Sequence, residues 1–157
     1  MNKIIKENFN LEIIELKKLD GYENENYLIT TKNKKYIFKK YPYSPELATV
    51  IKGENEVLLF LSENNKKFPN PIKTIDGEYV KIHKINGQKF ICRMLSFLEG
   101  EMLGSIKNTK EMFKSLGIFL AKMNQNLQSY NNNIIKARVW HWDLQHFHLN
   151  KKYIDYI

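Results

Sequence analysis

The chain has 157 residues, a net charge of +8 and a pI near 9.4, with 43% apolar residues, nine Tyr and nine Phe. Such a composition supplies a packed core for one domain, or for one and part of another, and excludes a disordered chain. A lone cysteine, Cys92, excludes an intrachain disulfide framework, and no apolar run approaches the roughly 18 residues of a membrane-spanning helix.

In chain order, the N-terminus MNKIIKENFN has no apolar core of a secretory signal, so a cytoplasmic location is expected. Asn10 to Lys18 suits a short strand or connecting turn. The turn-rich stretch Asp20 to Asn26 leads into Tyr27-Leu28-Ile29-Thr30-Thr31, rich in β-formers. Lys32-Asn33-Lys34 is a polar turn before the strand Tyr36-Ile37-Phe38. Pro42 and Pro45 interrupt the chain, and Ser44 is placed to cap a helix. From Glu46 to Leu61 apolar residues recur at three- and four-residue steps, which predicts an amphipathic helix weakened at Gly53. Asp76-Gly77 and Asn86-Gly87 both read as hairpin turns, and Phe90 to Leu98 as a central strand. Cys92, inside the run FICRML, reads as a core residue rather than a nucleophile. Thr109 to Leu127 is helical in period, with Thr109 as its cap and an Asn131-Asn132-Asn133 turn beyond it.

This order of elements supplies what phosphoryl transfer asks of a nucleotide-binding lobe: a tight turn near phosphates, a strand lysine, a helix carboxylate and a strand end that meets a base. The turn is Gly21 to Asn26, where Gly21 permits positive φ and close approach, with Tyr22, Asn24 and Asn26 beside it. The lysine is Lys39, the carboxylate is Glu54 with Glu56 as the fallback, and the strand end is Leu95-Ser96-Phe97-Leu98. Taken singly, each also fits a plain hairpin turn, a solvated strand end, a surface helix charge or a core strand. Their order is what points to nucleotide binding.

The segments LKKLDGYENENYLIT, KYIFKKYP, GENEVLLFL, KFPNPI, FICRMLSFLEGEML and LGIFLAKMNQ resemble those of the aminoglycoside phosphotransferase and choline kinase-like enzymes, with the hydroxylysine kinase-like branch nearest. The resemblance covers about residues 10 to 130. It implies an α+β, protein kinase-like fold: residues 1–98 as a nucleotide-binding lobe of a five-stranded antiparallel sheet plus one helix, and 99–157 as a hinge and the first helices of an incomplete helical lobe. It places Lys39 on the phosphates and Glu54, in register with Leu61 and Pro69-Asn70-Pro71, on Lys39. Leu95 falls at the back of the adenine pocket and Ser96 to Leu98 in the hinge. It also implies ATP and magnesium, and a small, amine-bearing molecule phosphorylated on a hydroxyl. Where the family usually has Leu-His, this chain has Met123-Asn124.

The family's chemistry resides in a His-Gly-Asp-Leu loop, a magnesium-binding asparagine a fixed step beyond it, and a later Ile-Asp strand. The tail His141-Trp142-Asp143-Leu144 … Ile154-Asp155 imitates this imperfectly. Trp142 replaces the glycine, His148 stands where the asparagine is due, and Asn150 comes two positions late. Asp143 is therefore the weak catalytic candidate, with Trp140, Trp142 and Phe147 read as packing residues. His141, His146 and His148 lack the further ligands a metal site needs. The expectation is an N-terminal piece of a kinase, inactive alone, with magnesium ligands beyond Ile157 and Phe113, Leu116, Leu120 and Met123 left uncovered. The alternatives are a nucleotide-binding module without turnover, and a basic nucleic-acid-binding domain. The scattered lysines and the lack of aromatic-basic interleaving argue against nucleic acid.

Overall fold

Among the described residues of this computed structural model (1–157 apart from positions 23, 64, 66, 141 and 157, and apart from the side chains of 155 and 156), six strands form one antiparallel sheet. They are β1 (Glu15–Leu19), β2 (Glu25–Thr30), β3 (Lys35–Pro42), β4 (Pro71–Ile72), β5 (Lys81–Ile85) and β6 (Gln88–Ser96), in the order β1-β2-β3-β6-β4, with β5 also on β6. The added strand relative to the five expected is β4. Its two residues pair with Leu95 and Met94, so that Pro71, which lacks an N–H, sits at an edge.

The turns separate into one correct hairpin and one misread. At Asn86-Gly87 both residues have positive φ, 49° and 84°, as a two-residue type I′ connection requires, and β5 pairs directly with β6. Asp76-Gly77 joins no hairpin. The Thr74 hydroxyl bonds Asp76 Oδ1 and accepts from the Glu78 N–H, closing a local loop between β4 and β5.

Alternation sorts the central strands into two faces. One carries Ile29, Phe38, Cys92 and Met94, buried beneath an N-terminal helix α1 (Asn2–Phe9) through Ile5. Here Cys92 is core, and burial pushes its thiol up to about 12. The other face carries Ile37, Lys39, Tyr41, Ile91, Arg93 and Leu95. Helix α2 (Pro45–Glu63) covers part of it, packing Ile51 against Tyr41 and Ile91. Ser44 caps α2 as expected, its Oγ accepting from the Leu47 N–H at 3.1 Å.

Helix α1 is tied down by Asn8, whose carbonyl accepts from the Ile75 N–H and whose Nδ2 lies 3.1 Å from His83 Nε2. An amide donor facing that nitrogen requires the neutral ring, and burial holds His83 below the usual histidine range, with Lys81 adding to the effect and Glu7 opposing it. The folded chain thus takes up this proton at lower pH than the unfolded chain. The contribution is complete above about pH 6.5 and is lost as pH falls below it. Between pH 7.5 and 5, Tm is expected to fall less steeply for His83→Gln than for the unmodified chain.

Beyond β6, the backbone runs through a short 3-10 turn (Leu103–Ser105) into α3 (Lys110–Gln128), capped by Thr109, whose Oγ1 accepts from the Met112 N–H at 3.2 Å. Phe113, Leu116, Ile118 and Leu120 stand exposed on α3, whereas Met123 is half-buried and Phe119 packs on Phe68 at 5.2 Å. Helix α4 (Asn133–Lys136) then docks on α2. Asn132 caps α4 by accepting from the Ile135 N–H, and its Nδ2 donates to Glu56 Oε2 at 2.8 Å. The tail, Leu144–Tyr156, is 3-10 helical.

Candidate functional site

The strand register builds the site in two rows on the α2 face of the sheet. Asn26 of β2 is opposite Lys39 of β3, and Lys39 is opposite Arg93 of β6. Two residues along, Leu28 is opposite Ile37, and Ile37 is opposite Leu95. A polar, cationic row therefore lies beside an apolar row whose Leu28 and Ile37 are only half-buried. An anionic group joined to a flat apolar ring matches that pairing.

Lys39 is half-buried, with its Nζ 6.0 Å from the Tyr41 ring. Burial holds its ammonium below the usual lysine range, the Arg93 charge lowers it further, and Glu54 pulls the other way. Glu54 makes no hydrogen bond to Lys39 among the described residues. Its Oε2 accepts from Arg93 Nη2 at 2.7 Å and its Oε1 from Arg138 Nη1 at 3.2 Å. The Glu54–Lys39 pair implied by the family resemblance is thus replaced by two arginine contacts in this structure, because the guanidinium on the neighbouring strand reaches the carboxylate. Glu56, the fallback, faces Asn132 instead.

Arg93 is 4% exposed. Its Nε and Nη2 donate to Tyr41 Oη at 3.2 and 2.9 Å, and its Nη1 to Asn55 Oδ1 at 2.9 Å. Reading the sequence passed over Arg93, Tyr41, Asn55 and Arg138. The available signal was an arginine inside the apolar run FICRML, since a guanidinium in a central strand must find buried acceptors.

At the turn, Gly21 matters for space. Its φ is not among the positive values, which belong to Gly77, Gly87 and Gly100. A Cβ there would lie 2.2 Å from the Asn24 carbonyl oxygen and 2.7 Å from Asn26 Nδ2. Asn26 Nδ2 in turn donates to the Asp20 carbonyl at 3.3 Å. Tyr22 is 88% exposed, with its ring edge-on to Trp142 at 6.2 Å, so the tail approaches the turn.

At the strand end, Leu95 is buried. The N–H of Ser96 donates to the Asn70 carbonyl and that of Phe97 to the Lys35 carbonyl, at 2.8 and 3.3 Å. Both amides are therefore committed, and Leu98 holds the N–H without a partner among the described residues. Asp143 Oδ1 accepts from the Gln145 N–H at 2.9 Å, and Oδ2 lies 3.3 Å from His146 Nδ1, a local cap for the tail. His141 and the Asp155 side chain lie outside the described residues. Among the described residues no three His, Cys, Asp or Glu side chains converge as a metal site would require, and no helix is long and apolar enough to cross a membrane.

This six-stranded antiparallel sheet, with α1 on one face and α2 on the other and helices following, has the fold of the N-terminal part of kinase-like phosphotransferases. The chain matches 92% of its length to the amicoumacin kinase hAmiN, solved with AMP-PNP, Ca2+ and Ami, at TM-score 0.70 and 22% identity. A microcompartment-associated aminopropanol kinase aligns at TM-score 0.68 and 17% identity over 92% of the chain, and a spectinomycin phosphotransferase solved with ADP and spectinomycin at 0.64 and 14% over 98%. The chain spans 44%, 45% and 45% of those proteins. No curated protein matches it. The model of the phosphotransferase enzyme family matches residues 15–146, and the chain belongs to that family.

Proposed function

We propose that this chain binds ATP as the nucleotide-binding part of a small-molecule kinase, its residues 1–98 forming the nucleotide lobe and 99–157 the start of the helical lobe. The observation that carries this reading is the pair of rows on one sheet face. Lys39, Arg93 and Arg138 surround one carboxylate, Glu54, and the cluster carries an excess positive charge that an anion offsets. Nucleotide phosphates satisfy it from the Gly21 turn, while the adenine lies over Leu28, Ile37 and Leu95 and meets the backbone at Leu98. With Ser96 and Phe97 already bonded, Leu98 is the hinge position left to read the base edge.

The acceptor substrate in this reading is a hydroxyl on an amine-bearing molecule. The named ligands and activities of the similar structures, an aminopropanol kinase among them, support that class. Magnesium accompanies ATP in the same reading, but no described residue set fits it, so no step is assigned to the metal. Asp143 is occupied in capping the tail, which favours a second reading in which the 157 residues bind nucleotide without turnover.

Calorimetric titration with ATP and magnesium tests both. Binding is expected, and Lys39→Met is expected to weaken it about 10- to 100-fold, the equivalent of one charge-assisted hydrogen bond of about 1.5–3 kcal/mol. Absence of heat and of any rise in Tm at millimolar nucleotide would sink the reading. Measurable phosphate transfer by the chain, lost in Asp143→Ala, would overturn the version without turnover.

A further inference from the structure

We propose that the chain carries a second small-molecule site, between α2 and the segment entering β5, which takes a flat molecule bearing a carboxamide-type group, a carbonyl oxygen beside an N–H. The proposal does not rest on the nucleotide-binding reading. Strand β6 pairs with β3 along one edge and with β5 along the other, so this site lies across β6 from Lys39.

The site is a cavity of about 350 Å3, within the size range of small-ligand pockets. Helix α2 lines it with Asn55, Glu56 and Leu59, and the approach to β5 lines it with Tyr79 and Val80. Three observations say what it holds. First, the two ends of the Asn55 amide are treated unequally, although the residue is 2% exposed. Its Oδ1 accepts from Arg93 Nη1 at 2.9 Å. A guanidinium only donates, so the oxygen must face it, and turning the amide over would set donor against donor. Nδ2 keeps two N–H groups and has no partner among the described residues. A buried donor left unpaired is costly, and a molecule in the cavity that Asn55 lines brings the acceptor it lacks.

Second, Glu56 follows directly in the chain and lines the same cavity. Asn132 Nδ2 donates to its Oε2 at 2.8 Å, and Oε1 accepts no hydrogen bond among the described residues. A donor and an acceptor on successive residues complement the edge of a carboxamide. A carboxylate would satisfy Asn55 but set its second oxygen against Glu56. An amine would satisfy Glu56 and leave Asn55 without an acceptor. Third, Leu59, Tyr79 and Val80 supply apolar wall, and Val80 is itself packed on the core of Tyr41, Ile51 and Ile91, which fixes its position. A single aromatic ring suits that wall.

Benzamide is the probe, added to the whole 157-residue chain without nucleotide and followed by backbone and side-chain amide NMR shifts. Saturable shifts are expected at Asn55, Glu56, Leu59, Tyr79 and Val80, including the Asn55 side-chain amide, with millimolar affinity. Benzoate and benzylamine, which each lack one half of the edge, are expected to bind about three- to ten-fold more weakly. Asn55→Asp keeps an oxygen for Arg93 and replaces the free donor with a second acceptor; it is expected to weaken benzamide about ten-fold or more. Leu59→Trp fills the cavity and is expected to abolish the shifts. The proposal is overturned by the absence of a saturable shift, or by shifts confined to Leu28, Ile37 and Leu95. Equal benzamide affinity in Asn55→Asp also overturns it, since the Asn55 amide would then be hydrated only. Should Asn55→Asp not fold, Leu59→Trp and the ranking of the three probes decide the matter: retained shifts in Leu59→Trp, or benzamide binding no tighter than the other two, sinks the site.

Discussion

Gly21→Val is expected to weaken nucleotide binding by on the order of 10- to 100-fold while leaving most of the fold in place. The reason is local. A Cβ at Gly21 would stand 2.2 Å from the Asn24 carbonyl oxygen and 2.7 Å from Asn26 Nδ2. The first contact is with backbone, so no rotamer change relieves it, and the turn between β1 and β2 must open. Overpacking of this kind costs about 1–3 kcal/mol. Gly21 and Tyr22 are exposed and the turn joins the body of the sheet through the β1–β2 ladder, so the strain is released by moving the turn. In the proposed function that turn covers the phosphates, and the same 1–3 kcal/mol appears as lost affinity. Titration calorimetry reads the affinity, and thermal unfolding reads the fold. Gly21→Ala, with its single added carbon, makes the same backbone contact and is expected to follow in the same direction. An unchanged affinity in both variants would remove the turn from the site.

How much of this was legible in the sequence depends on how local the physics is. Asn86-Gly87 announced its hairpin because positive φ at two successive residues is a property of the dipeptide itself. The caps at Ser44 and Thr109 were legible for the same reason. Asp76-Gly77 carried the same signal and misled, because the Thr74 hydroxyl closes a loop there that propensity does not record. Helix α1 went unread. Its apolar residues Ile4, Ile5 and Phe9 are few, and the helix exists because Ile5 is buried on Phe38 and its neighbours, a contact between distant segments. At the site, order along the chain singled out Gly21, Lys39, Glu54 and the segment from Leu95 to Leu98, and strand register sets Lys39 and Leu95 on the α2 face. It did not find Arg93, because an arginine among Phe90, Ile91, Cys92 and Met94 has meaning only once Tyr41, Asn55 and Glu54 are brought around it. The partner of Glu54 is a matter of which cation is closer in space, and strand register decides that.

Register and docking meet at Gly53, the site of the second large expected effect. In the sequence this glycine weakens a helix; in the structure it is where α4 sits down. A Cβ at Gly53 would lie 2.9 Å from Ile134 Cγ2, 3.0 Å from Ile134 Cβ and 3.3 Å from Asn132 Oδ1. Ile134 is β-branched and stiff at χ1, so its Cβ cannot swing clear without moving the helix that bears it. Alanine at position 53 would gain about 1 kcal/mol of helix propensity and lose about 1–3 kcal/mol to overpacking. Valine forfeits most of that gain and adds two methyl groups to the collision. Gly53→Val is therefore expected to lift α4 from α2, break the Asn132–Glu56 and Arg138–Glu54 contacts, and lower Tm by several degrees. Gly53→Ala should cost less, and Gly53→Ala combined with Ile134→Ala should be more stable than Gly53→Ala alone, because truncating Ile134 removes the colliding atoms. If Ile134→Ala gives no such rescue, the close approach of α4 to Gly53 is not what sets the cost, and the path by which Arg138 reaches Glu54 must differ from the one described here.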